Sequence, residues 1–213
     1  MIQFKPITKQ DGSKLRRYYQ DCEYGLCEYS VGTKMMWRSM WKYQWAEVAG
    51  CLVVHGVDDG RWIFDYPVVG PEGDETAALD AIDEVCVAHG QVPLFTVVPE
   101  CKVCSLLARY PYVQVSNVRT WQDYVYYRQD LQLFAGRRYS GQRNHIKKFN
   151  ALCPDAQVRQ LTAADANVID QFWQDYEAEF PKGDNTKALD ELKLAKQMLK
   201  MLNKQLNKFD IIA

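Results

Sequence analysis

The sequence predicts an α+β fold with an antiparallel sheet, on three observations. Residues 43–48, 51–57 and 62–66 are apolar, strand-like runs separated by Ala49-Gly50 and by Asp58-Asp59-Gly60, the punctuation of tight hairpins. Residues 74–89 and 186–206 carry apolar side chains at helical spacing. The 213 residues are 47% hydrophobic, 13% aromatic and 25% charged, enough apolar material to offset chain entropy in a soluble globular chain. No apolar run approaches the roughly 20 residues that span a bilayer. The opening MIQFKPITKQDG has no secretory core, and seven cysteines spread from Cys22 to Cys153 make no small-domain disulfide framework. A reduced, cytoplasmic location is expected.

Residues 3–7 read as a short strand, and Thr8 caps an amphipathic helix running to about residue 22. A second helix covers residues 31–41, and the three-stranded meander comes next. Gly70-Pro71-Glu72-Gly73 breaks the chain, and Asp74 caps a helix with Leu79, Ile82 and Cys86 on one face. Residues 92–98 form a continuous apolar run ending at Pro99, the pattern of a buried strand. A short helix at 101–109 and strands at 112–115 and 121–127 complete the series. The order β-α-α-β-β-β-α-β-α-β-β resembles that of a GNAT acyltransferase domain and is complete by about residue 129. Residues 1–134 are therefore expected to be one complete, degenerate GNAT-like domain.

The pattern then restarts. Residues 135–155 read as a basic connector helix. Residues 156–213 give a strand at 157–161, a Thr162 cap, helices at 163–180 and 186–206, and a final strand from Phe209 to Ile212. That is the truncated start of a second GNAT-like domain, or else a helical extension that closes the first. The apolar repeat Leu192, Ala195, Leu199, Leu202, Leu206 belongs to a packed helix face either way. A terminal strand with an open edge is adhesive, so a homodimer through it is one expectation.

Charge is divided unevenly. Residues 1–130 hold 13 basic and 17 acidic side chains, whereas residues 131–208 hold 13 basic and nine acidic. Between Leu131 and Pro154 there is no acid, and Arg137, Arg138, Arg143, Lys147 and Lys148 all fall there. With Tyr139, Asn144 and His145 they form the candidate anion- and substrate-binding set. In a helix Arg143 and Lys147 share a face, as do Asn144 and Lys148. Fixed positive charge at this density suits phosphate, from a tRNA backbone or another phosphate-containing ligand. On charge alone a plain solvated helix is the better account.

The chemistry of the first unit reads as lost. A GNAT fold holds acyl-CoA pyrophosphate on backbone N–H groups at [Gln/Arg]-x-x-Gly-x-[Gly/Ala]. The corresponding stretch has Pro67 first, retains Gly70 and ends in Glu72. Glu72, Asp74 and Glu75 then place carboxylates where phosphate would sit. Cys101-Lys102-Val103-Cys104 opens a helix as a redox pair would, but the element order is wrong for that fold and no second pair completes a zinc set. Cys22 and Cys27 lack metal-ligand company, and His55 and His89 read as structural. No metal and no firm cofactor is implied, and no residue qualifies as the general base.

Gly136-Arg-Arg-Tyr-Ser-Gly-Gln-Arg-Asn-His-Ile-Lys-Lys-Phe149 resembles the signature of the phosphatidylglycerol lysyltransferase C-terminal domain family. So do Tyr124-Val-Tyr-Tyr127, Asp130-Leu131, Phe4-Lys-Pro-Ile7 and Phe64-Asp-Tyr-Pro-Val-Val-Gly70. The resemblance implies tandem GNAT-like domains that move an aminoacyl or acyl group, with aminoacyl-tRNA or acyl-CoA as donor. The expected function is thus the N-terminal part of such a transferase, these residues alone being inactive. The alternative is a non-catalytic binding or assembly module.

Overall fold

The computed structural model describes residues 2–179 and 186–205. They fold as two compact units: residues 2–117 together with those described from 162 onward, and residues 118–161. In the first unit β1 (Lys5–Pro6) leads through a 3-10 turn into helix α1 (Gly12–Tyr19). Thr8 begins that turn as expected: the Asp11 carboxylate accepts from the Thr8 N–H at 2.8 Å and from its hydroxyl at 2.6 Å. Helix α2 (Val31–Trp37) starts at Ser30, whose hydroxyl accepts from the Thr33 N–H.

The expected meander is present as β2 (Gln44–Val48), β3 (Cys51–Asp58) and β4 (Arg61–Phe64), all antiparallel. Both hairpin turns need two successive positive φ angles, at Ala49-Gly50 (48° and 72°) and Asp59-Gly60 (47° and 78°), the demand of a primed turn. A short strand β5 (Val68–Val69) also pairs with β3. Phe64 faces His55 while Val68 faces Leu52, so β4 and β5 are one strand carrying an extra residue between them. Pro67 lies in that bulge, where its missing N–H interrupts no ladder. Helix α3 (Glu75–Ala88) begins at Asp74, whose carboxylate accepts from the Ala77 N–H at 3.0 Å. It buries Leu79, Ile82 and Cys86 together, as its spacing predicts. Leu15, Met35, the β3 run Leu52–Val54, Phe64 and Tyr66 complete this core.

Beyond α3 the expected strands are corrected. Residues 92–98 make only a one-residue parallel bridge, Phe95 to Phe64. The two chains part there because the Tyr29 hydroxyl lies between them, accepting from the Tyr66 N–H at 3.1 Å and donating to the Val97 carbonyl at 3.2 Å. Helix α4 (Glu100–Arg109) comes next. The strands expected at 112–115 and 121–127 are not formed, and Tyr112 and Tyr127 are 98% and 82% exposed. Their side chains favour an extended backbone, but a strand needs a neighbour to pair with, and none is present among the described residues. The strand expected at 157–161 is coil for the same reason.

Thr162 does act as a cap, with Asp165 accepting from its N–H at 2.7 Å. Helices α7 (Ala166–Glu179) and α8 (Thr186–Gln205) belong to the first unit. There α8 runs beside α2 and Met198 packs on the core. The division at Asn117/Val118 and Leu161/Thr162 thus differs from the boundaries expected near 134 and 155. The strand expected at Phe209–Ile212, and the dimer contact expected through it, lie outside the described residues.

The second unit contains helix α5 (Arg128–Leu133), a 3-10 turn at Arg137–Tyr139 and helix α6 (Ser140–Leu152). Among its described residues Tyr139 is the one buried apolar side chain. Among the described residues of the whole chain, no helix is long and apolar enough to cross a membrane.

Candidate functional site

The loop from Pro67 to Glu75 joins the bulged strand to α3, where anions are commonly held by free backbone N–H groups. Here those groups are already used. The Gly70 N–H donates to the Gly50 carbonyl at 3.1 Å, Gly73 to Gly70 at 3.0 Å, and Asp74 to Ala49 at 2.8 Å. A Cβ at Gly70 would lie 2.5 Å from the Gly50 carbonyl oxygen. The glycine is therefore required by the contact between two backbone turns, with no ligand needed to account for it. Glu72 is exposed, and Asp74 and Glu75 complement the positive end of the helix.

A polar cluster that sequence reasoning missed closes the same corner. The Glu75 carboxylate accepts from the Tyr66 hydroxyl at 2.7 Å on one oxygen and from the Lys102 ammonium on the other. Burial, and then the bonded Glu75 carboxylate, hold the Tyr66 phenol well above its ordinary pKa. Both Glu75 oxygens being occupied, the group ties the starts of α3 and α4 to the bulge and is not free to act as a base. Glu75 in the first turn of α3 was visible in the sequence, but its partners lie nine and 27 positions away.

Beneath it Lys34 and Asp65 form an ion pair of 2.6 Å, the lysine side chain wholly sealed from solvent. The ammonium also lies 4.4 Å from the centre of the Tyr43 ring. Burial raises the Asp65 carboxyl, and the Lys34 charge only partly opposes that rise. His55, likewise buried, is pushed toward its neutral form, and His89 caps α3 with its ring 2.8 Å from the Val85 carbonyl. Cys101 and Cys104 are exposed thiols in the first half of α4.

In the second unit the basic segment divides by role. Arg138 pairs with Asp130 and donates to the Tyr139 hydroxyl, its guanidinium lying 4.6 Å from the Tyr139 ring centre. Arg143 donates to the Phe134 and Gly136 carbonyls, satisfying the open end of α5 where Phe134 turns left-handed. Arg137, Asn144, His145, Lys147 and Lys148 are exposed. Helical spacing puts Asn144, Lys147 and Lys148 on one side of α6, away from Ile146 and Phe149. Residues 118–161 hold eight basic side chains against three acidic, so this face is strongly positive.

A family profile described as phosphatidylglycerol lysyltransferase, C-terminal, matches residues 20–206. The chain belongs to that family. No curated protein matches the sequence. Among solved structures, a conserved protein of unknown function from Bacteroides thetaiotaomicron VPI-5482 superposes with a TM-score of 0.82 at 24% identity, over 99% of this chain and 69% of that one. The likeness is one of fold. Of the stretches that resemble the lysyltransferase family, Phe64–Gly70 supplies the bulge, the buried Asp65 and the Tyr66 phenol. The Gly136–Phe149 run splits into a brace (Arg138, Tyr139, Arg143) and an exposed cationic face.

Proposed function

We propose that this chain is part of a transferase of the lysyltransferase family that takes its aminoacyl donor on tRNA in preference to acyl-CoA. The carrying observation is the contrast between two anion-facing regions. The N–H groups of Gly70, Gly73 and Asp74 are spent on backbone carbonyls beside acids, while Arg137, Lys147 and Lys148 stand exposed on the second unit with no ion pair to a described residue. Phosphates approaching the first region would meet Glu72, Asp74 and Glu75. Approaching the second, they would find ammonium and guanidinium groups with Asn144 and His145 beside them.

The order β-α-α-β-β-β-α up to residue 88, the bulged strand and the single parallel bridge are what supports a degenerate GNAT-like unit for residues 1–134. A non-catalytic assembly module is the second reading, favoured by Arg138 and Arg143, whose guanidinium groups are engaged by Asp130 and by the Phe134 and Gly136 carbonyls.

Titration with tRNA and with CoA at two salt concentrations separates the donors. We expect tRNA binding that weakens with salt, and a salt slope reduced by about 1–2 in the Lys147→Glu/Lys148→Glu variant, one phosphate contact per lysine. CoA is expected not to bind. Salt-insensitive or undetectable tRNA binding would remove the donor reading and leave the assembly module.

A further inference from the structure

A second candidate site lies on the first unit, on the α1 and β1 side of its sheet. Between α1, β1, β2 and α3 runs a groove of about 610 Å³, within the ~300–1,000 Å³ range of small-molecule sites. Lys14 and Arg17, three positions apart on one face of α1, both line it, and Lys5 enters from β1. Lys5 is already held, 4.1 Å from the Trp45 ring centre and 3.9 Å from Asp11. Lys14 and Arg17 are exposed and make no ion pair with the described residues. Trp45 of β2, 2% exposed, also lines the groove, and its indole N–H has no acceptor among the described residues. A buried donor left unbonded is costly, and this one belongs to a residue lining the same groove as Lys14 and Arg17.

The groove also contains two carboxylates. Burial, and then the Glu47 carboxylate beside it, push the Tyr18 phenol up to about 12. Glu84 faces in from α3. A bare polyanion would be repelled by this pair, whereas one compact anionic head attached to a neutral body would not.

We propose that this groove binds a small organic phosphate monoester. Its dianionic head sits between Lys14 and Arg17, and its carbon body lies along the apolar lining that Val48 of β2 and Ala81 of α3 supply. The proposal is independent of the donor reading, which concerns the second unit.

The test is a titration of the isotope-labelled protein with phenyl phosphate, following the Trp45 indole N–H and the α1 amides by NMR. Inorganic phosphate is the probe for the head alone. Saturable shifts are expected at these positions with Kd near or below about 1 mM, and inorganic phosphate should bind roughly fivefold or more weakly. Lys14→Glu/Arg17→Glu should weaken phenyl phosphate at least ~10-fold by removing two charge-assisted contacts. Lys147→Glu/Lys148→Glu should leave it unchanged. Because Lys14 and Arg17 are both exposed, the doubly reversed variant keeps the fold, and its unperturbed spectrum is the control; Lys14→Ala alone provides a milder variant. Non-saturating shifts, equal binding by the reversed variant, or shifts centred on Lys147 and Lys148 would each overturn the assignment.

Discussion

Replacing Lys34 by methionine tests the interior of the first unit most directly. The side chain keeps its volume, but Asp65 loses its ion-pair partner while remaining almost sealed from solvent, with the 2.6 Å contact gone. Breaking a buried pair from one side costs about 3–5 kcal/mol, a large share of the ~5–15 kcal/mol that holds a typical domain. At roughly 2–4 °C per kcal/mol for a chain of this size, the melting midpoint should fall on the order of 10 °C. The pH dependence carries the signature. The Asp65 carboxyl is raised in the folded state even with Lys34 present, and without Lys34 it rises further. A raised acid binds its proton more tightly folded than unfolded. Its destabilisation is therefore greatest above the folded value, and relief comes as pH falls through that value toward the ordinary carboxylate range. Lys34→Met should thus be markedly less damaging at about pH 5 than at about pH 7.5, by urea unfolding at both. Adding Asp65→Asn should recover much of the loss. A cost below about 1 kcal/mol at neutral pH, or a double variant whose loss equals the sum of the singles, would refute the argument.

The same geometry sets other outcomes. Gly70→Ala places a methyl 2.5 Å from the Gly50 carbonyl and should lower stability by about 1–3 kcal/mol through overpacking, read by thermal melting. Arg143→Ala removes the donor that satisfies the Phe134 and Gly136 carbonyls; amide exchange across residues 128–136 should accelerate with little change in the first unit. Cys101 and Cys104 should react with a thiol reagent at once at neutral pH. Cys86 is buried and its thiol is pushed up to about 11, so it should react only on unfolding, with time-resolved labelling by mass spectrometry as the check.

What was legible in the sequence is what local chemistry decides. The two hairpin turns come from Ala49-Gly50 and Asp59-Gly60, and the starts of three helical segments from Thr8, Asp74 and Thr162, because each motif is settled within four residues. The buried face of α3 comes from spacing alone. Residues 112–115 and 121–127 have the composition of strands, but composition cannot supply the neighbour that a strand pairs with. The Tyr66–Glu75–Lys102 cluster escaped for the complementary reason: its members become adjacent only when the bulge, α3 and α4 are assembled. The basic run was visible as charge, yet nothing in the linear order distinguishes Arg143, whose guanidinium is consumed by two carbonyls, from Lys147 one turn later.

The position of Tyr29 has a consequence for any chain that would add to the outer edge of the bulged strand. An incoming chain could add to the gap between Tyr66 and Val97 only by taking over the two backbone groups that this hydroxyl now satisfies. Entry is thus tied to displacement of the segment joining α1 to α2. Tyr29→Phe would strip the Tyr66 N–H and the Val97 carbonyl of that shared partner while keeping the ring.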